Sequence, residues 1–138
     1  MSEAGVSLCA GALGIDGEAV NVSTPHGPIS VTVSGDRSKS ALITYHDVGL
    51  NHRSCFQGLL LCSGASSLLA NNFCIYHIDA PGHEDNSGGV AKTALPLTTD
   101  KLADQVASVV EYFGLKELIL LGVGAGAYIL TKYAIKHQ

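Results

Sequence analysis

Three short stretches of the chain are almost continuously apolar: Ala41-Leu42-Ile43-Thr44-Tyr45, Phe73-Cys74-Ile75-Tyr76-His77-Ile78 and Glu117-Leu118-Ile119-Leu120-Leu121. Runs of that length without polar alternation suit strands buried on both faces, as in a parallel sheet. Between them apolar residues recur at helical spacing, which predicts helices over Ser54 to Leu69 and Thr99 to Phe113, with a third from Ala125 to His137. Thr98, Thr99 and Asp100 supply N-cap chemistry for the second of these, and Gly114 supplies its stop. Nearer the N-terminus, Ala19-Val20-Asn21-Val22 and Ile29-Ser30-Val31-Thr32-Val33 flank Thr24-Pro25-His26-Gly27-Pro28, the pattern of a β-hairpin whose second strand has one wet face. Residues 1–17 are small, Gly-rich and aperiodic, so they read as a flexible tail with order beginning near Glu18. Strands alternating with helices after a hairpin predict an α/β fold: a mostly parallel sheet covered on both faces and preceded by an antiparallel pair. The stretch from Asp79 to Leu97 reads as one long loop leaving a strand's carboxyl end, where such folds carry their sites.

Composition agrees with one domain. The chain has 138 residues, of which 46% are hydrophobic and 14% charged, enough apolar material for a core. Its formal charge is −4 and its eight Lys and Arg are scattered, so no basic face offers itself to a phosphate backbone and no nucleic-acid partner is expected. Cys9, Cys55, Cys62 and Cys74 form no C-x-x-C pair. Cys55 and Cys62 stand two helical turns apart, about 10 Å, too far for a disulfide, so all four read as buried small hydrophobes in a reducing compartment. His77, Asp79, His83, Glu84 and Asp85 are ligand-type residues, but the second helical His of a zinc-protease motif is missing, and no metal or other cofactor is expected. The N-terminus lacks the basic start of a signal peptide, and no window is long enough to span a bilayer; a cytoplasmic protein is expected.

Chemistry concentrates after the third apolar run. Leu121-Gly122-Val123-Gly124-Ala125-Gly126-Ala127 has the form of a nucleophile elbow, in which a buried strand turns sharply into a helix and the central side chain projects over the sheet. Gly124 occupies the nucleophile position and projects nothing, while Val123 and Ala125 offer no hydroxyl, thiol, amine or carboxylate. His46, Asp47 and Val48 follow the first buried strand, where a hydrolase supplies one backbone N–H of its oxyanion hole. With Gly122, Val123, Gly124 and Ala125 they make up a vestigial pocket. His46 and Asp47 are adjacent in an extended segment and point apart, so they do not pair as base and orienter; Asp47 or Asn51 capping the following helix is the simpler role. Two other readings of the elbow segment stay open. Gly122-x-Gly124-x-x-Ala127 satisfies a dinucleotide fingerprint, although it lies after the last strand and no acidic residue follows about 20 positions on. The small residues also serve close helix–sheet packing. An enzyme with a displaced nucleophile would have to use Cys74, His46 or His83, and a small-ligand binding module would use the space beneath Gly124.

The strings Ala41-Leu42-Ile43-Thr44-Tyr45-His46-Asp47-Val48-Gly49-Leu50-Asn51, Ser54-Cys55-Phe56-Gln57 and Ile75-Tyr76-His77-Ile78-Asp79-Ala80-Pro81-Gly82-His83-Glu84 closely resemble the NDR (N-myc downstream-regulated) family, its plant branch in particular. The resemblance runs from about residue 18 to 137. It implies an α/β-hydrolase-like fold without a working triad, acting in signalling, stress response, growth or differentiation. In plants it implies protein partners, G-protein subunits among them. Family domains continue through further strands and a cap region, so residues 18–138 are read as the N-terminal portion of such a domain, truncated after the elbow helix, with an apolar strand edge left open.

Overall fold

The computed structural model describes residues 14–84 and 97–137. Its strands are β1 (Glu18–Val22), β2 (Ile29–Ser34), β3 (Ser40–Tyr45), β4 (Phe73–Asp79) and β5 (Leu118–Gly122). Its helices are α1 (His52–Leu61), α2 (Ser63–Asn72), α3 (Thr99–Phe113) and α4 (Ala125–Lys136). The strands form one sheet in the order β1-β2-β4-β3-β5. β1 and β2 pair antiparallel, as do β2 and β4, whereas β3 runs parallel to both β4 and β5. This is the expected α/β architecture, a parallel sheet entered through an antiparallel hairpin.

Alternation along the strands divides the core in two. Ala41, Ile43 and Tyr45 of β3 and Cys74, Tyr76 and Ile78 of β4 join the cluster formed with α3 and α4. Leu42 and Ile75 point the other way, onto Phe56 and Leu60 of α1 and onto Ile15. β3 and β4 are thus buried on both faces, as their unbroken apolar runs predict. β5 is not: it is the outermost strand of the sheet, the apolar edge that the family resemblance implied, and Ile119 is 52% exposed.

Three further details depart from expectation. The single helix over Ser54 to Leu69 is two helices, broken at Cys62, whose ψ of 114° is extended. The break precedes Ser63 and Gly64, both weaker helix formers than the leucines before them, and Ser66 N–H restarts the ladder on Cys62 O at 2.9 Å. Cys55 and Cys62 therefore do not share an apolar helix face: Cys55 is half-buried, Cys62 exposed and Cys74 buried, while Cys9 lies outside the described residues. Packing also begins before Glu18, since Ile15 is buried in the α1 cluster and Asp16 pairs with Arg53. The rest of the expected tail, residues 1–13, lies outside the described residues, as do residues 85–96 of the expected long loop. No helix among the described residues is long and apolar enough to cross a membrane.

The caps follow the sequence closely. Thr98 Oγ1 accepts from Lys101 N–H at 3.2 Å and Gly114 ends α3 in the left-handed conformation. Asn51 caps α1 in a reciprocal box: its Oδ1 accepts from Ser54 N–H at 2.9 Å, and its own N–H donates to Ser54 Oγ at 3.0 Å. Asn51→Ala is expected to cost about 1 kcal/mol, read from the shift of a urea unfolding curve.

Candidate functional site

The site lies at the carboxyl ends of the parallel strands, where the turn after β5 meets the loop after β3. β5 ends at Gly122, paired with Tyr45, and Val123 N–H extends the contact to Tyr45 O at 3.2 Å. Gly124 then turns the chain into α4 with φ +57° and ψ −121°, a conformation from which an L side chain is sterically disfavoured. Close approach explains the other small residues. A Cβ on Gly126 would lie 2.2 Å from Tyr45 O and 2.5 Å from His46 O, and one on Gly122 would lie 2.5 Å from the Ala127 backbone. The segment is therefore a sharp strand-to-helix elbow packed tightly on β3.

Asp47 fills the space a nucleophile would use. A Cβ built on Gly124 would sit 2.2 Å from Asp47 Oδ1, 2.4 Å from its Cγ and 2.6 Å from its Oδ2. The same Oδ1 accepts from Val48 N–H at 2.8 Å and from Ala125 N–H at 2.9 Å. In hydrolases of this architecture the oxyanion hole is built from the N–H after the nucleophile and one from the loop after the third strand. Here both kinds of donor are spent on an internal carboxylate. The bond from Ala125, then that from Val48, holds the Asp47 carboxyl below the usual carboxylate range. Asp47 thus caps the elbow helix rather than the helix that follows it in sequence, which Asn51 serves.

The other residues singled out in the sequence lie at differing distances from this contact. His46 is buried, with Nδ1 donating to Asp47 O at 2.7 Å and Nε2 accepting from Ala80 N–H at 2.9 Å. It contacts the backbone of Asp47, not the carboxylate, as opposed side-chain directions require. Val48 is 74% exposed and lends only its N–H; Val123 is also exposed. His83 ends a tight turn closed by His83 N–H to Ala80 O at 2.9 Å, with Pro81 and a positive-φ Gly82 at its centre, as in a type II turn. Its ring lies 5.2 Å from that of His46. Cys74 is at the other end of the sheet, paired with Ala41 four positions before Tyr45, about 13 Å along the strand. Burial pushes its thiol up, the wrong direction for a nucleophile.

One polar network was marked in the sequence only by His77 and Asp79, without their partners. Asp79, at the end of β4, accepts from His52 at the start of α1 through both N–H (2.7 Å) and ring Nδ1 (2.8 Å). The His52 ring stacks on His77 at 4.9 Å between centroids. His77 donates from Nε2 to Gly14 O and its Nδ1 accepts from Thr44 Oγ1, each at 2.6 Å. Asp79, His52, Arg53 and Glu84 line a cleft of about 460 Å³ over the hairpin. Spacings of 25 to 63 residues link these partners, so no local motif announces them. Among the described residues, no three ligand-type side chains converge as a metal site would need.

An open-ended α/β sheet of order 1-2-4-3-5 with a glycine-rich elbow after its fifth strand defines an α/β-hydrolase-type protein. Solved structures agree: an epoxide hydrolase of the alpha/beta hydrolases superfamily from hot-environment metagenomes superposes with a TM-score of 0.68 over 88% of this chain and 38% of its own, at 21% identity. The Ndr family profile matches residues 19–138, and the chain belongs to that family. It is 49% identical over 133 residues to Protein NDL1 of Arabidopsis thaliana, covering 96% of this chain and 38% of that protein. It is 40% identical over 123 residues to Protein NDRG2 of Homo sapiens, covering 88% and 33%. The chain spans about a third of the length of these relatives.

Proposed function

We propose that this chain is part of a non-catalytic Ndr-family protein that acts in the cytoplasm through protein partners, in signalling that serves stress response, growth or differentiation. G-protein subunits are the partner class that the resemblance to plant members suggests. The observation that carries the non-catalytic reading is the Asp47 carboxylate in the place of a nucleophile, bonded to the backbone N–H of Ala125 in the elbow and of Val48 in the loop after β3. A covalent hydrolase mechanism needs an activated nucleophile and free oxyanion donors together, and this arrangement supports neither. Among the described residues, neither Cys74 nor His46 is placed as an alternative nucleophile, since Cys74 is buried with a raised pKa and both ring nitrogens of His46 are engaged. The test is incubation of the purified chain with 4-nitrophenyl acetate and with a fluorophosphonate probe. Turnover equal to buffer and absence of stoichiometric labelling are expected; saturable turnover would overturn the reading.

A further inference from the structure

We propose that His46 is an acid-released latch that fastens the loop after β3 to the turn after β4. The geometry fixes the ring's tautomer. Asp47 O can only accept, so Nδ1 carries the proton and donates to it at 2.7 Å; Nε2 is then a bare acceptor and takes the Ala80 N–H at 2.9 Å. A second proton has one place to go, Nε2, where the Ala80 N–H already points. Two donors would then face each other across a bond length, inside a site where His46 is 2% and Ala80 8% exposed. Water cannot take over either group without the loops parting, and a buried unsatisfied donor is costly. Protonation is therefore coupled to opening.

The surroundings set the direction. Burial is the largest influence on the ring and disfavours its charged form. The Asp47 carbonyl bond and the charge of Asp79 at the end of β4 act the other way, while His83 in the turn and His52 at the start of α1 oppose protonation. The closed form thus binds the proton more weakly than an open, solvated imidazole of ordinary pKa near 6.5. By linkage the latch is fully closed above that value and is progressively released as pH falls below it. What it releases is specific. Ala80 begins the Pro81–Gly82 turn, whereas the neighbouring residue of the loop, Asp47, remains bonded to Val48 and Ala125 through a carboxylate that stays ionised. Acid should free the β4 turn while leaving the elbow capped.

The experiment is amide hydrogen exchange by NMR on the full chain between pH 7.5 and 4.5, with the ¹⁵N shift of His46 Nε2 followed in parallel. Once corrected for intrinsic rates, Ala80 protection is expected to fall about tenfold per pH unit from the ordinary imidazole pKa near 6.5 down to the His46 midpoint and to level off below it, with Val48 and Ala125 protection unchanged. In His46→Gln, a non-titrating amide oxygen can replace Nε2 as acceptor, and Ala80 protection should no longer depend on pH. If that variant does not fold, coincidence of the wild-type Nε2 titration with Ala80 release still decides. Unchanged Ala80 protection through the His46 titration would overturn the proposal, as would loss of Ala80 only together with the core amides of β3 and β4.

Discussion

Gly124→Ser is expected to lower stability and to create no esterase, although it rebuilds the sequence form of a nucleophile elbow. Two costs act on the folded state. The backbone at φ +57° and ψ −121° suits glycine, and a side chain held in such a region costs about 1–3 kcal/mol. The new Cβ would also lie within 2.6 Å of three atoms of the Asp47 carboxylate, so that carboxylate must leave and surrender its bonds to Val48 and Ala125. Active hydrolases bear the first cost at this turn without bearing the second. The discriminating variant is Asp47→Ala/Gly124→Ser, which removes the obstructing group and is expected to be more stable than Gly124→Ser alone, a non-additive result that independent sites would not give. Neither variant should turn over ester, because among the described residues no free imidazole faces position 124: both nitrogens of His46 are engaged. Urea unfolding of the four proteins of the cycle, with 4-nitrophenyl acetate as substrate, checks both points. Equal stability of wild type and Gly124→Ser would show that Asp47 does not occupy the nucleophile's space in solution.

What could be read from the chain followed the range of the interactions involved. The paired burial of β3 and β4, the hairpin, and the start and stop of α3 depend on residues within a few positions of each other, and their patterns were legible. The elbow was legible for the same reason: Gly122, Gly124 and Gly126 are spaced by a local backbone requirement. The break at Cys62 was hidden because Cys55, Cys62 and Leu69, seven positions apart, keep an apolar helical spacing through it, and such spacing is blind to one extended residue. The exposure of Ile119 could not be read from its own run, because nothing in the strand counts its neighbours; the open edge came only from the family resemblance. Asp47 was legible as a capping residue but not as the cap of a helix 78 positions away. The site's chemistry therefore turned on a long-range choice between two helices, each needing an acceptor at its N-terminus; Asn51 satisfied the near one and left Asp47 to the far one.

Acid should also destabilise the whole domain, and His77 is the residue expected to dominate. Its ring is fully engaged in the neutral state, with Nε2–H donated to Gly14 O and Nδ1 receiving the Thr44 hydroxyl. Burial between His52 and Phe56 lowers its pKa to about 4 from the ordinary 6.5; the bond to Gly14 and the charge of Asp79 pull upward, while His52 and Arg53 add to the lowering. Because the folded pKa lies below the unfolded one, the unfolded chain binds the proton first. Stability is at its full value above pH 6.5, falls as the pH drops from there to about 4, and gains no further loss from this group below that. The interval corresponds to roughly 3 kcal/mol, a large share of the 5 to 15 kcal/mol or so that holds a typical domain. Urea unfolding in steps from pH 7.5 to 4.5 should show that decline. His77→Gln, weaker at neutral pH because it packs less well against His52, should show a shallower one. A profile equally steep in the variant would assign the acid sensitivity to other groups, with the buried His46 the next to examine, since it titrates in the same direction.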